Sequence, residues 1–304
     1  MHKTSTFCFL ASLVLAGSLL LSCSGDDDDD DSATTAGSGA ASAVPVGFSV
    51  SGGIDVPVKL EVPASIQSGQ VALSTTNSTP GVVDLQIVSV TGGHSIDEVK
   101  AVVDDDTGAP IPDWIVGEGG VGSIPPAQSG QATVVLEGAP GTQFFAVGTL
   151  QTDQESSPGS NSAAAALTMT GDEGGSLPSA DTTIKASEYE FKIAGDDLQA
   201  GENSIRFEND GEQLHHVLMA PLADGSTLDD VRNFFSEDAP TPEAAPPLDF
   251  EKLVGTAVIS GGKAISGISW ELEPGTYAMV CFMTDKAGGA PHVMSGMIRE
   301  VAVA

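Results

Sequence analysis

Past residue 23 the chain has one cysteine, Cys281, which closes the apolar run Tyr277-Ala278-Met279-Val280. Beyond it lies the Gly-rich stretch Asp285-Lys286-Ala287-Gly288-Gly289-Ala290-Pro291, then His292 and Met297. Upstream, His215 and His216 open another apolar run that ends at Ala220. The set reads as a His, then Cys-x10-His-x4-Met. A thiolate, two imidazoles and a thioether together suit copper in both of its oxidation states, with the Met as a weak axial contact. Zinc would accept the Cys and the His pair but has little use for a thioether. Calcium and magnesium prefer oxygen ligands and would pass the set over. Each residue also has an ordinary use, since a lone Cys or a Met at a strand end is commonly core filler.

The elements that must hold these residues occur twice. Gly69–Val103 aligns without a gap on Gly201–Phe235 at an offset of 132, with Gly69/Gly201, Asn77/Asn209, Gly93/Gly225, Asp97/Asp229 and Val99/Val231 identical. In both segments a strand, a polar turn, a second strand, a Gly turn and a short helix follow in the same order. Ser95…Glu98 and Thr227…Asp230 each predict a capping box at the helix start. Leu136-Glu137 with Gly141-Thr142 then matches Leu272-Glu273 with Gly275-Thr276. The expected organisation is a duplication, with domains at 46–178 and 179–304 and the linker-like stretch Gly171–Ser179 between them. Strands are expected at Val82–Val90, Thr133–Leu136, Ser204–Phe207, Val217–Met219, Tyr277–Phe282 and Met297–Val303, an all-β pattern of two tandem β-sandwiches with one short helix each.

With PGTY before the Cys and Gly-Met ahead of a terminal strand, this pattern resembles the cupredoxins, the blue (type 1) copper family. The resemblance covers about Ile184 to Val303, and more faintly the earlier half as a degenerate copy without a site. It implies a Greek-key sandwich in each half, and ligands His215, Cys281, His292 and Met297 for one copper. His216 is the fallback for His215. At the offset of 132 the pair falls on Val83 and Asp84, and the alternation Val83, Leu85, Ile87 puts His215 on the inward face with Val217 and Met219. Met294 is the alternative axial group. Ten residues between Cys and His is longer than in the small cupredoxins, although copper nitrite reductases also carry a long loop. Val147 or Thr149 falls in the place of Cys281 in the first half.

The chain opens with Lys3 and a fifteen-residue apolar run, Phe7–Leu21. That is enough for a signal segment and short for a membrane span. Leu20-Leu21-Ser22-Cys23 resembles the lipobox of bacterial lipoproteins, which implies cleavage of residues 1–22 and lipidation of Cys23. Asp26–Asp31 and the Ser/Thr/Ala/Gly residues after it make 23–45 an acidic flexible tether. The expected location is the extracytoplasmic side of a bacterial membrane.

Acidity sets the partners. The chain holds 42 Asp+Glu against 11 Lys+Arg, a net charge of −31. Nucleic acid is excluded as a partner because it demands a basic surface, and a basic redox protein is expected instead. Beyond the proposed site only His2, His94 and His216 remain of five His, too few for a further catalytic copper cluster. There is no Gly-x-Ser-x-Gly, phosphate loop or His-Glu-x-x-His stretch. The expectation is therefore an electron carrier rather than an enzyme. The other reading is a metal-free or copper-carrying envelope binding module.

Overall fold

The computed structural model describes residues 45–53, 56–105, 108–139, 141–151, 161–171, 174–236 and 245–304. The signal, lipidation and most of the tether readings fall on residues 1–44, outside them. The first half contributes strands β1 (Pro45–Gly53), β2 (Val56–Glu61), β3 (Ile66–Gln67), β4 (Gly69–Ser78) and β5 (Val82–Val90), helix α1 (Ile96–Val103), then β6 (Ile115–Ile124), β7 (Ser129–Leu136), β8 (Gln143–Gln151), β9 (Ser162–Leu167) and β10 (Met169–Thr170). The second contributes β11 (Thr182–Ser187), β12 (Glu190–Gly195), β13 (Gly201–Asn209) and β14 (Leu218–Pro221), helix α2 (Leu228–Phe234), then β15 (Val254–Gly255), β16 (Ala264–Leu272), β17 (Gly275–Val280) and β18 (Ile298–Val303). No helix among the described residues is long and apolar enough to cross a membrane.

One eight-stranded sheet, β12-β11-β13-β16-β7-β4-β1-β2, runs through both halves and is joined at Ser266↔Thr133. Two four-stranded sheets accompany it, β6-β5-β8-β9 from the first half and β15-β14-β17-β18 from the second. Strand order repeats between halves, including the parallel pairs β1/β4 and β11/β13. The period-two alternation that buries one strand face is plain in β4, where Val71 and Leu73 are inward, and in β13, where Ile205 and Phe207 are. A single apolar core, from Phe48 and Leu85 through Val134 and Ile265 to Cys281 and Met297, fills the space between the sheets of both halves. Both helices begin with the expected capping boxes: Ser95 and Glu98 exchange hydrogen bonds of 3.3 and 2.8 Å, as do Thr227 and Asp230.

The strip Thr256–Ser260 stitches the halves together beside the second small sheet. On one side His215 and Ile259 exchange backbone hydrogen bonds of 3.1 and 2.9 Å, and Thr256 bonds Val217 through its amide and its hydroxyl. On the other, the Gln86 side chain brackets Val258 with bonds of 2.9 and 2.8 Å, and Ser260 bonds Gly117 twice at 2.9 Å. Next to it the buried Glu118 carboxylate accepts from Ser89 and pairs with Lys263 across the halves, both at 2.6 Å. Burying a carboxylate this deeply is tolerable only with such partners.

Candidate metal centre

His215 and Cys281 lie just beyond strand ends, and His292 lies in the loop between the last two strands. The strand expected at Val217–Met219 is found at Leu218–Pro221, so His215 lies ahead of it. His215 pairs with Ile259 as an isolated bridge, and this short, broken ladder directs its fully buried ring inward. Cys281 is the first residue past β17, is fully buried, and its carbonyl accepts from Val293 at 2.8 Å. His292 opens a 3-10 turn, His292–Ser295, anchored by its amide on the Met283 carbonyl at 2.8 Å. Gly296 then adopts φ 96°, a left-handed conformation open to glycine, and turns the chain so that the Met297 amide bonds the His292 carbonyl at 2.9 Å.

The three donors converge. Cys281 Sγ lies 3.8 Å from His215 Nδ1 and 3.6 Å from His292 Nδ1, and the two nitrogens are 3.2 Å apart. All three side chains are buried, and they form a group able to hold one metal ion. Edges of this length suit three donors around one ion at bond lengths of about 2.0–2.3 Å. Met297 is fully buried in the same core cluster as Cys281, whereas Met294 packs with Phe282 and Val293 on the other side. The fallback His216 is turned away, and its Nε2 accepts the Phe282 amide at 2.9 Å. It ties down the residue that follows Cys281.

Burial sets the protonation of the group. It lowers the His215 pKa to about 4, aided by the neighbouring His292, and it also lowers that of His292, against the pull of Asp285. It pushes the Cys281 thiol up to about 11. Both imidazoles are therefore neutral, and His292 uses Nε2–H on Asp285 Oδ1 at 3.1 Å, which leaves its Nδ1 as a lone pair aimed at the other donors. His215 Nε2 is buried with no hydrogen-bond partner. Two neutral imidazole nitrogens 3.2 Å apart beside a thiol make a set of nitrogen and sulfur donors that a soft or borderline cation satisfies. The buried Cys and two His fit a type 1 copper site.

Two neighbours of the site carry no signal in the sequence, Asp285 on His292 Nε2 and Tyr189 with its ring 5.3 Å from the His292 ring. Among the described residues of the first half, Val83 stands in the place of His215 and offers no donor. Gln86 pairs with Val147 as Leu218 pairs with Val280, so at the offset of 132 it is Gly148, rather than Val147 or Thr149, that stands where Cys281 stands. A Cβ there would come within 3.2 Å of Val50. His94 is stacked on Trp114 at 4.0 Å and bonded to Glu98 at 3.0 Å.

No protein-family profile matches the chain, and no curated protein sequence matches it. Among solved structures it is similar to dithionite-reduced auracyanin from Roseiflexus castenholzii, at 20% identity over 41% of this chain and 99% of that one, with a TM-score of 0.27. It is also similar to auracyanin A, a "blue" copper protein from Chloroflexus aurantiacus, at 17% identity over 40% and 98%, TM-score 0.25. A multicopper oxidase is similar over 86% of this chain and 88% of its own, at 12% identity and a TM-score of 0.23.

Proposed function

We propose that this chain is a lipid-anchored, cupredoxin-like electron carrier of the bacterial envelope. The observation that carries the reading is the convergence of Cys281 Sγ and the Nδ1 atoms of His215 and His292 within 3.2–3.8 Å in a dry core. When bound, copper would supply a one-electron couple between its two oxidation states. Cys281 would hold it as thiolate, with His215, His292 and Met297 as its other ligands. The core excludes water from the donors, and the ladders behind them keep their spacing fixed, so that little has to move when the charge changes.

The remaining parts follow in this reading. Residues 1–22 are a signal peptide, Cys23 carries the lipid, and 23–45 hold the body off the membrane. The two bodies, 46–178 and 179–304, are Greek-key copies from a duplication, and the first has no site. The acidity is spread over both, with 15 acidic against 2 basic residues in the first and 21 against 8 in the second. It would steer a basic redox protein, with association slowing as salt rises. Catalysis is not part of this function. The test is a redox titration of the copper-loaded protein. One electron per chain, lost in His215→Ala, supports the carrier; no reversible couple contradicts it.

A further inference from the structure

Tyr189 sits in the two-residue turn between β11 and β12 with φ 60°, a conformation a bulky side chain adopts rarely and at a cost. The turn is pinned by Glu188, whose carboxylate accepts the amides of Glu212 and Gln213. From there the Tyr189 hydroxyl reaches both carboxylate oxygens of Asp285, at 3.0 and 3.1 Å. Its ring meets the His292 ring edge-on, at 86°. Asp285 in turn accepts the His292 Nε2 proton at 3.1 Å. The loop is fixed on both flanks, since the Lys286 amide bonds the Gln213 side chain at 2.8 Å and its carbonyl accepts the Ile111 amide of the first half at 2.9 Å.

We infer that Tyr189 and Asp285 are a positioning pair that fixes the plane of the His292 ring and closes its outer edge from solvent. His292 is fully buried, while Tyr189 and the Asp285 side chain are 38% and 36% exposed. The surface over the site is therefore the pair and not the imidazole. A carboxylate on the far nitrogen of a ligating His sets both the orientation and the basicity of that ring. Here the carboxylate is itself aimed by a second donor from a hairpin far away in sequence. This rests on His292 being a ligand, but the geometry belongs to the polypeptide and can be read without metal.

The test is nitrogen-15 NMR of the His side chains in the metal-free protein, with the exchange of the His292 Nε2 proton as the readout. The wild type shows a protected Nε2 proton. Tyr189→Phe keeps the ring and removes the hydroxyl, and exchange speeds up about tenfold, as for the loss of one ordinary hydrogen bond. Asp285→Ala abolishes the resonance, whereas Asp285→Asn, which keeps an acceptor, retains it. Matching melting curves show that the variants are folded. Unchanged exchange in Tyr189→Phe and Asp285→Ala overturns the pair. The copper reading fails separately, if the copper-treated wild type shows no thiolate charge-transfer band.

Discussion

Val83 and His215 occupy matching inward positions, one in β5 and the other just ahead of β14, and both are fully buried. Around Val83 the ladder to β8 runs without a break from Val82 to Val90, the register slipping on the β6 side between Val83 and Leu85, and its neighbours Val50, Val58 and Leu150 are apolar. Around His215 the ladder stops short, the strip Thr256–Ser260 replaces the missing strand, and three polar donors face one another. The scaffold alone does not make a site. A site needs donors where aliphatic side chains would pack, and a break in the ladder to aim them. The first half has a further part, since β6 and Gln86 hold the back of the strip that holds His215.

The largest effect comes from exporting the first half's residue. His215→Val should reduce copper uptake at least a hundredfold in a competition titration, with the metal-free melting temperature unchanged or higher, because a buried imidazole nitrogen without a partner is removed. Stoichiometric copper in this variant would break the comparison. The reverse exchange, Val83→His, puts an unpartnered imidazole into a closed apolar pocket and should cost about 2–4 kcal/mol in urea unfolding without creating a copper site.

Acid separates the halves next. In the metal-free protein His215 and His216 have folded pKa values of about 4, both lowered first by burial, against about 6.5 for free imidazole. Between those values the unfolded chain binds more protons than the folded one, so acid favours unfolding. Stability should hold above about pH 6.5 and fall as the pH drops towards 4. His216→Asn should flatten part of that slope in melting curves; an unaltered slope would place the acid sensitivity elsewhere. Smaller again, Gln86→Ala removes the bracket on Val258 and should cost about 1–3 kcal/mol, with a measurable shift of the copper spectrum although Gln86 lies in the other half. The smallest effects are the caps: Ser95→Ala and Thr227→Ala should each cost about 1 kcal/mol. Only the second leaves the first half's hydrogen-exchange pattern untouched.

Much of this was legible in the sequence. Val82–Val90 is found with its expected ends, and both capping boxes form. These features depend on neighbours in the chain, where alternation and cap spacing are visible. Cys281 and His292 fall close together in sequence, and the structure brings their Sγ and Nδ1 within 3.6 Å, while Met297 lies in the same apolar cluster as Cys281. What could not be read depends on distant partners. The strand expected from Val217 begins at Leu218 because the backbone groups of Val217 go to Thr256. The strand expected at Tyr277–Phe282 ends at Val280 because the Cys281 carbonyl and the Phe282 amide are taken by Val293 and His216. The join of β7 to β16 leaves no trace in either strand, since an edge does not name the strand that covers it. Tyr189 and Asp285 are invisible for the same reason.

The most direct test of the copper site is the visible spectrum of soluble Ser24–Ala304 before and after Cu(II), beside Cys281→Ser. The prediction is one copper per chain and an intense charge-transfer band that disappears in the variant. A colourless wild type under oxidising conditions, with no stoichiometric copper by metal analysis, would contradict it.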